Sequence, residues 1–238
     1  MPSPMPPHAP TTVSVVIPVH NEASYVEGAL TRLFDQLAAV DSVAVEVLVV
    51  ENGSTDDTAA RITRMAEHTP GLSLLHLDTP DYGAAMRAGF LGTTGDWVVN
   101  FDIDYFSGEF LAGAVARDDA DVVLASKRAP GSDDRRSRFR KLATWGFNLL
   151  LRTILDSRVS DTHGMKAIRR TVVDGVARGV VSTKDLFDTE LVIRAERAGF
   201  RIVEVPVTVE EQRQSRSNLI RRIPRTVRGL WRIRRSLR

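Results

Sequence analysis

Trp97-Val98-Val99-Asn100-Phe101-Asp102-Ile103-Asp104 is an apolar run that ends abruptly in two carboxylates one residue apart. Read as a strand leaving a sheet, it places alternate side chains on one face, so Asp102 and Asp104 point the same way. Paired carboxylates there suit an oxygen-ligated cation, Mg²⁺ or Mn²⁺. Such an ion takes one or two protein carboxylates and completes its shell with water and substrate phosphate. A lone D-x-D is more often a solvated turn, so its weight comes from the elements around it.

Upstream, residues 13–19 (VSVVIPV) form a β-branched run that stops at His20-Asn21-Glu22 and reads as a buried first strand. Val26, Leu30, Leu33, Phe34 and Leu37 then recur at helical spacing and predict an amphipathic helix ending before Asp41. Residues 43–50 predict a second strand that enters the polar turn Glu51-Asn52-Gly53-Ser54-Thr55-Asp56-Asp57-Thr58, with Ser54 or Thr55 placed to cap a helix over 59–67. A third strand over 72–77 leads into a small-residue helix over 81–89, and the D-x-D strand is the fourth. This unbroken alternation predicts an α/β fold, a mostly parallel Rossmann-like sheet flanked by helices and wound by right-handed crossovers. Ligands of such sheets bind beyond the carboxyl ends of the strands, where Glu22, Glu51, Asn52, Asp102 and Asp104 all fall. Both G-x-G-x-x-G and the P-loop pattern are absent, which argues against a dinucleotide oxidoreductase and a P-loop enzyme.

The second half breaks the alternation. Residues 121–125 read as a strand ending in Ser126-Lys127-Arg128, and a Gly-, Asp- and Arg-rich loop leads to a helix over 139–155. That helix is apolar over too wide a surface for one-sided packing; either it is largely buried or part of it rests on a membrane or an apolar substrate. A turn, Asp161-Thr162-His163-Gly164-Met165-Lys166, enters a short strand. A small helix follows near 172–177, then a helix over 185–198 with Asp188 and Glu190 near its start, and a strand over 200–209. Acids in a first helical turn are stabilised by the helix dipole, so these two have a ready structural explanation.

At 238 residues, with 43% hydrophobic and 26% charged content, the chain suits one substantial domain. We expect a disordered proline-rich tail over 1–11, an α/β domain over 12–212 and a basic amphipathic tail over 213–238. No run reaches the roughly 20 apolar residues of a membrane span, and no signal peptide is evident. The lack of cysteine excludes a disulfide framework and makes a cytoplasmic location the default. The formal charge of +2 conceals an asymmetry: residues 213–238 hold ten arginines and no acid, leaving 22 basic residues to face all 30 acidic ones.

With these residues on the page, the chain resembles the family 2 glycosyltransferases of GT-A fold, and among them the dolichol- or polyprenyl-phosphate hexosyltransferases. The resemblance runs from about residue 13 to 209. It rests on Val16-Ile17-Pro18-Val19-His20-Asn21-Glu22, on residues 50–58, on Asp102-Ile103-Asp104 and on Gly83-x-x-x-Arg87-x-Gly89. Phe187-Asp188-Thr189-Glu190-Leu191 and residues 199–207 complete it. It implies that Pro18, Val19, Asn21, Glu22, Glu51, Asn52, Ser54, Arg87 and Asp102 hold a nucleotide-sugar donor, and that Asp102 and Asp104 bind Mg²⁺ or Mn²⁺ to neutralise the departing nucleoside diphosphate. Arg128, Lys166, Arg213 and Ser217 are the expected contacts of an acceptor phosphate. A single displacement inverts the anomeric carbon. A lipid-phosphate oxygen is already ionised and hardly needs a base, whereas a hydroxyl acceptor requires one, for which Asp188 stands first and Glu190 second. The chain departs from the family at Tyr105 and Phe106, where leucine and glutamine are usual, and at Tyr82, where a lysine is usual.

The arginine-rich tail admits a solvated helix, a nucleic-acid contact or an interfacial helix. No recognition motif accompanies the nucleic-acid reading. Arginines interleaved with Leu219, Ile223, Val227, Leu230, Trp231 and Ile233 fit an anionic membrane surface. The expected activity is transfer of mannose from GDP-mannose or glucose from UDP-glucose to a polyprenyl phosphate, by an enzyme peripheral on the inner face of the membrane. The alternatives are a soluble family 2 transferase with a hydroxyl acceptor and a non-catalytic nucleotide-sugar or lipid-binding module.

Overall fold

The computed structural model describes residues 10–41, 43–135, 138–209 and 219–237. Strands β1 (Thr11–Val19), β2 (Val43–Asn52), β3 (Leu72–Leu77) and β4 (Trp97–Asn100) alternate with helices α1 (Val26–Leu37), α2 (Thr58–Ala66) and α3 (Tyr82–Gly92). After α4 (Gly108–Val115) come β5 (Val122–Ser126), the two-residue β6 (Asp133–Asp134), α5 (Arg138–Leu155), β7 (Lys166–Arg169) and α6 (Arg170–Val176). Then follow α7 (Phe187–Arg197), β8 (Ile202–Pro206), β9 (Thr208–Val209) and α8 (Leu219–Ser236).

The main sheet runs β3-β2-β1-β4-β7-β5-β8, with β6 and β9 paired apart from it. β1 pairs in parallel with both β2 and β4, and β2 with β3. β7 enters antiparallel between β4 and β5, setting Lys166 beside Asn100. The β-branched runs explain the centre of the sheet: Val13, Val15, Val16 and Ile17 of β1 and Val98 and Val99 of β4 are fully buried, packed on both faces by helices. The alternation of β1 splits the core: Val13, Val15 and Ile17 join Leu30 and Leu33 on one side, while Val16 joins Met86, Phe90 and Phe187 on the other.

One expectation is corrected. Ser54 and Thr55 do not cap α2: the helix follows Asp57, and the Ser54 hydroxyl instead accepts the Asn21 N–H at 2.9 Å. In the basic segment, α8 runs from Leu219 to Ser236 with Pro224 inside it.

α8 packs against the domain. Leu230 and Ile233 are wholly buried with Leu151, Ile154, Leu155 and Ile193 from α5 and α7. Those two residues therefore serve the protein interior and not a lipid surface. Leu142, Trp145 and Leu149 of α5 and Ile223 and Trp231 of α8 stay exposed, so α5 buries Leu151, Ile154 and Leu155 near its end and turns apolar side chains to solvent from Leu142 to Leu149.

Close packing also fixes the turn that faces the site. A Cβ on Gly83 would lie 2.7 Å from Lys184 N and Thr183 Cα, backbone that has no rotamer to yield. Gly83→Ala will cost about 1–3 kcal/mol by overpacking, read as a fall of several degrees in Tm.

Candidate active site

Parallel pairing sends the ends of β1, β2 and β4 to one edge of the sheet; of the predicted donor residues, Pro18, Val19 and Asn52 line a cleft there, and Asp102 and Arg87 are not among its lining residues. A cleft of about 370 Å³ is lined by Pro18, Val19 and His20 after β1, by Asn52 of β2, and by Pro80, Asp81 and Tyr82 at the start of α3; Lys184 and Arg225 close it.

Hydrogen bonds lace these loops into a preformed wall. Asn21, in the left-handed region at φ 54°, uses its side-chain oxygen to accept the Thr55 N–H at 2.8 Å. The Glu22 N–H donates to the Thr58 hydroxyl at 2.8 Å, and the Asp81 N–H donates to the Asn52 side-chain oxygen at 2.7 Å. His20 Nδ1 lies 2.8 Å from the Asn52 carbonyl. Glu51 is fully buried behind the cleft. Burial alone would raise its proton affinity, but hydrogen bonds from Ser54 and the contact with His76 outweigh that and hold the carboxyl below the usual glutamate range.

The two aspartates do not share a strand face. β4 ends at Asn100, and Asp102 and Tyr105 exchange backbone hydrogen bonds at 3.2 and 3.0 Å across a tight turn, which carries the pair beyond the sheet edge. Asp102 is open to solvent on one side, yet the surrounding walls strip enough water from its carboxyl to push it up to about 6. Lys166 pulls the other way, and the like charges of Asp188 and Asp104 add to the rise.

Behind them sits a buried polar chain. Lys166, only 1% exposed, donates to the Asn100 side-chain oxygen at 2.8 Å and to the Gly164 carbonyl at 2.9 Å, and its ammonium lies 3.1 Å from Asp188 Oδ1. Tyr82 Oη donates to the other Asp188 oxygen at 2.7 Å. Asp188 is thus held between a cation and a phenol. Glu190, also fully buried, accepts the N–H groups of Val181 and Ser182 at 3.1 and 2.7 Å and pairs with Arg194 at 2.7 Å. Neither acid is arranged as the free base that a hydroxyl acceptor would need.

The remaining expected residues divide. Ser54 belongs to the loop network described above. Arg87 lies outside the cleft lining, its guanidinium spanning the carbonyls of Arg178 and Val180 at 2.9 and 2.8 Å. Lys166, expected to contact an acceptor phosphate, does not reach the surface: its ammonium donates to Asn100 and Gly164 and forms an ion pair with Asp188. Arg128 is exposed after β5. Neighbouring Lys127 donates to the His163 carbonyl at 3.2 Å and lies 3.5 Å from Asp161. Arg213 and Ser217 lie outside the described residues. Sequence reasoning missed His20, Pro80, Asp81, Lys184 and Arg225 as cleft residues. Of these only Arg225 carried a signal, as part of the arginine run; Tyr82 was visible solely as a departure from the lysine usual there.

A divalent cation fits this chemistry without a protein cage. Among the described residues no group of three His, Cys, Asp or Glu side chains is set to hold one. Two aspartates at a strand end, crowded by a third carboxylate, match an ion that draws its other ligands from phosphate and water. Because ligation needs the carboxylate form, and desolvation, with the like charges of Asp188 and Asp104, pushes the Asp102 carboxyl up to about 6, Mn²⁺ affinity is expected to fall as pH drops through that value. Calorimetric titrations at pH 7.5 and pH 5 will show roughly tenfold weaker binding in the acid.

The glycosyl transferase family 2 model matches residues 14–176. The undecaprenyl-phosphate mannosyltransferase of Micrococcus luteus is 32% identical over 216 residues, 87% of each chain. The glycosyltransferase AglD of Haloferax volcanii is 31% identical over 89% of this chain, which spans 35% of that relative's length. An undecaprenyl-phosphate 4-deoxy-4-formamido-L-arabinose transferase of Klebsiella pneumoniae is 31% identical over 84% of this chain, which covers 60% of that enzyme.

Solved structures share the fold. The mannosyltransferase PcManGT of Pyrobaculum calidifontis, in complex with GDP-Man and Mn²⁺, superposes with a TM-score of 0.59 at 24% identity over 90% of this chain and 60% of its own. Glucosyl-3-phosphoglycerate synthase of Mycobacterium tuberculosis, with Mn²⁺, UDP and product, gives 0.65 at 22% identity over 94% and 78%. With the strand-edge cleft, the aspartate pair after β4 and these matches together, the chain belongs to the family 2 glycosyltransferases and has their GT-A fold.

Proposed function

We propose that the protein transfers a hexose, mannose from GDP-mannose or glucose from UDP-glucose, to a polyprenyl phosphate at a membrane surface, with inversion at the anomeric carbon. The observation that carries this reading is the engagement of Asp188 by Lys166 and Tyr82. With Glu190 also occupied, the site favours an acceptor whose oxygen arrives ionised, which is the chemistry of a phosphate. The undecaprenyl-phosphate acceptors in the names of the relatives support the same class.

In this mechanism the preformed walls around Asn21, Glu51 and Asn52 bind and orient the nucleoside, so that little ordering remains when the donor enters. Asp102 and Asp104 hold a divalent ion, which when bound supplies Lewis-acid charge to the leaving diphosphate. Lys166, fixed by Asn100 and Asp188, balances the carboxylates behind that centre.

No described helix is long and apolar enough to cross a membrane. The exposed Leu142, Trp145 and Leu149, spaced along one face of α5, together with Ile223 and Trp231 among the α8 arginines, support an interfacial contact. Trp145→Glu with Leu149→Glu will weaken co-sedimentation with anionic vesicles about tenfold or more, since each buried apolar side chain contributes about 1.5–3 kcal/mol; nucleotide binding will not change.

The test is a donor panel of GDP-mannose, UDP-glucose and UDP-GlcNAc with Mn²⁺ or Mg²⁺, each with and without polyprenyl phosphate, scored by nucleoside diphosphate release. Release that needs both metal and lipid supports the proposal. A donor turned over equally well without lipid transfers the assignment to a hydroxyl acceptor or to water.

A further inference from the structure

We infer that the C-terminal helix completes the donor site, with Arg225 of α8 as a nucleoside-diphosphate-binding residue acting beside Lys184. The inference rests on the donor reading above, but concerns a part of the chain beyond residue 176, where the family match stops. A nucleoside diphosphate is a polyanion. The residues that the ends of β1, β2 and β3 contribute to the cleft include no lysine or arginine; its permanent cations are Lys184 and Arg225. Both come from the C-terminal third.

Packing holds them there. A Cβ on Gly229 would lie 2.1 Å from Leu186 Cδ1, so α8 presses directly on the turn formed by residues 184–186. Arg225 lies one helical turn before Gly229 on the same face, which sets it above Lys184. That turn is itself pinned to the cleft: the Lys184 N–H donates to Asp81 Oδ1 at 2.9 Å, and the same oxygen caps α3 by accepting the Ala84 N–H at 3.0 Å. Further along, Leu230 and Ile233 are wholly buried, and Arg194 reaches the Ser236 hydroxyl at 3.1 Å. The helix that carries Arg225 is therefore a fixed wall of the cleft. A guanidinium there presents two parallel N–H donors in a fixed fork that matches a pair of phosphate oxygens, a geometry that the point charge of a lysine does not fix.

The test is calorimetric titration of GDP and UDP, each with Mn²⁺, into the 238-residue chain and three variants. Arg225→Ala will weaken the preferred nucleotide about tenfold, and Arg225→Lys will recover part of the loss. Arg232→Ala, an exposed arginine on the same helix, will bind as wild type. Wild-type affinity in Arg225→Ala overturns the inference, as does an equal loss in Arg232→Ala, which would show a diffuse charge effect. If the wild-type chain binds neither nucleotide, the donor reading fails as well, an outcome separate from failure of Arg225 alone.

Discussion

Asp104→Asn will lower turnover by two to four orders of magnitude while leaving Tm unchanged, and Asp102→Asn will do the same with Tm unchanged or slightly higher. The activity loss follows from the role assigned to the pair: without both carboxylates the ion is lost or misplaced, and the departing diphosphate loses charge stabilisation worth about 3–5 kcal/mol of barrier. The stability half of the prediction follows from geometry. Asp102 sits on a turn beyond the sheet, and its carboxylate is disfavoured by its walls and by the like charges of Asp188 and Asp104. Removing its charge relieves that crowding in the free protein, the usual opposition between activity and stability at a working site. The check pairs steady-state rates with thermal melts on the same preparations. Rates within a few-fold of wild type would remove these aspartates from the chemistry.

The second large effect is on stability. Lys166→Met leaves Asp188 buried beside Tyr82 with no counter-charge, and breaking a buried pair by deleting one member costs about 3–5 kcal/mol. At about 2–4 °C per kcal/mol for a chain of this size, Tm should fall by roughly 6–20 °C. Asp188→Asn strands the ammonium instead and should cost a similar amount. The double variant Lys166→Met with Asp188→Asn removes both charges and will lose clearly less than the sum of the singles, the coupling expected of residues in direct contact. Additive losses would mean that the pair is not coupled. The same set separates positioning from base catalysis. If Asp188 were a base, its Asn variant would lose the acidic limb of the pH–rate profile, whereas loss of an ion pair lowers the whole profile without moving that limb.

The first four strands were legible because β-branched runs bounded by polar turns admit few other readings. The third was placed at its observed bounds, Leu72–Leu77. The gathering of Asn21, Glu51, Asn52 and Asp102 at one edge was legible too, since parallel strands must deliver their carboxyl ends to the same side. Less visible was the D-x-D geometry, because residue spacing describes a strand and a turn equally well until backbone pairing is known. Lys166 was misread since a lysine in a short polar-to-apolar transition normally faces water. The signal was there in its neighbours Met165, Ala167 and Ile168, all buried, which leave it no exposed face. Asp188 and Glu190 were explained by a helix dipole, but their burial depends on partners 22 to over 100 residues away or across a loop, Lys166, Tyr82 and Ser182, that no local pattern encodes. The tail shows the same limit. Its apolar residues suggested one lipid face, and only the packed structure divides Leu230 and Ile233, turned inward, from Ile223 and Trp231, left outside.

The claim at the centre of this account is that the acceptor is a lipid phosphate. Mass spectrometry of the lipid fraction after incubation with the preferred donor, Mn²⁺ and polyprenyl phosphate tests it most directly, with the anomeric configuration of the product read by NMR. The account predicts a polyprenyl phosphate bearing one hexose through its phosphate oxygen, inverted relative to the donor. An unmodified lipid alongside consumed donor, or a hexose found on a hydroxyl, would contradict it.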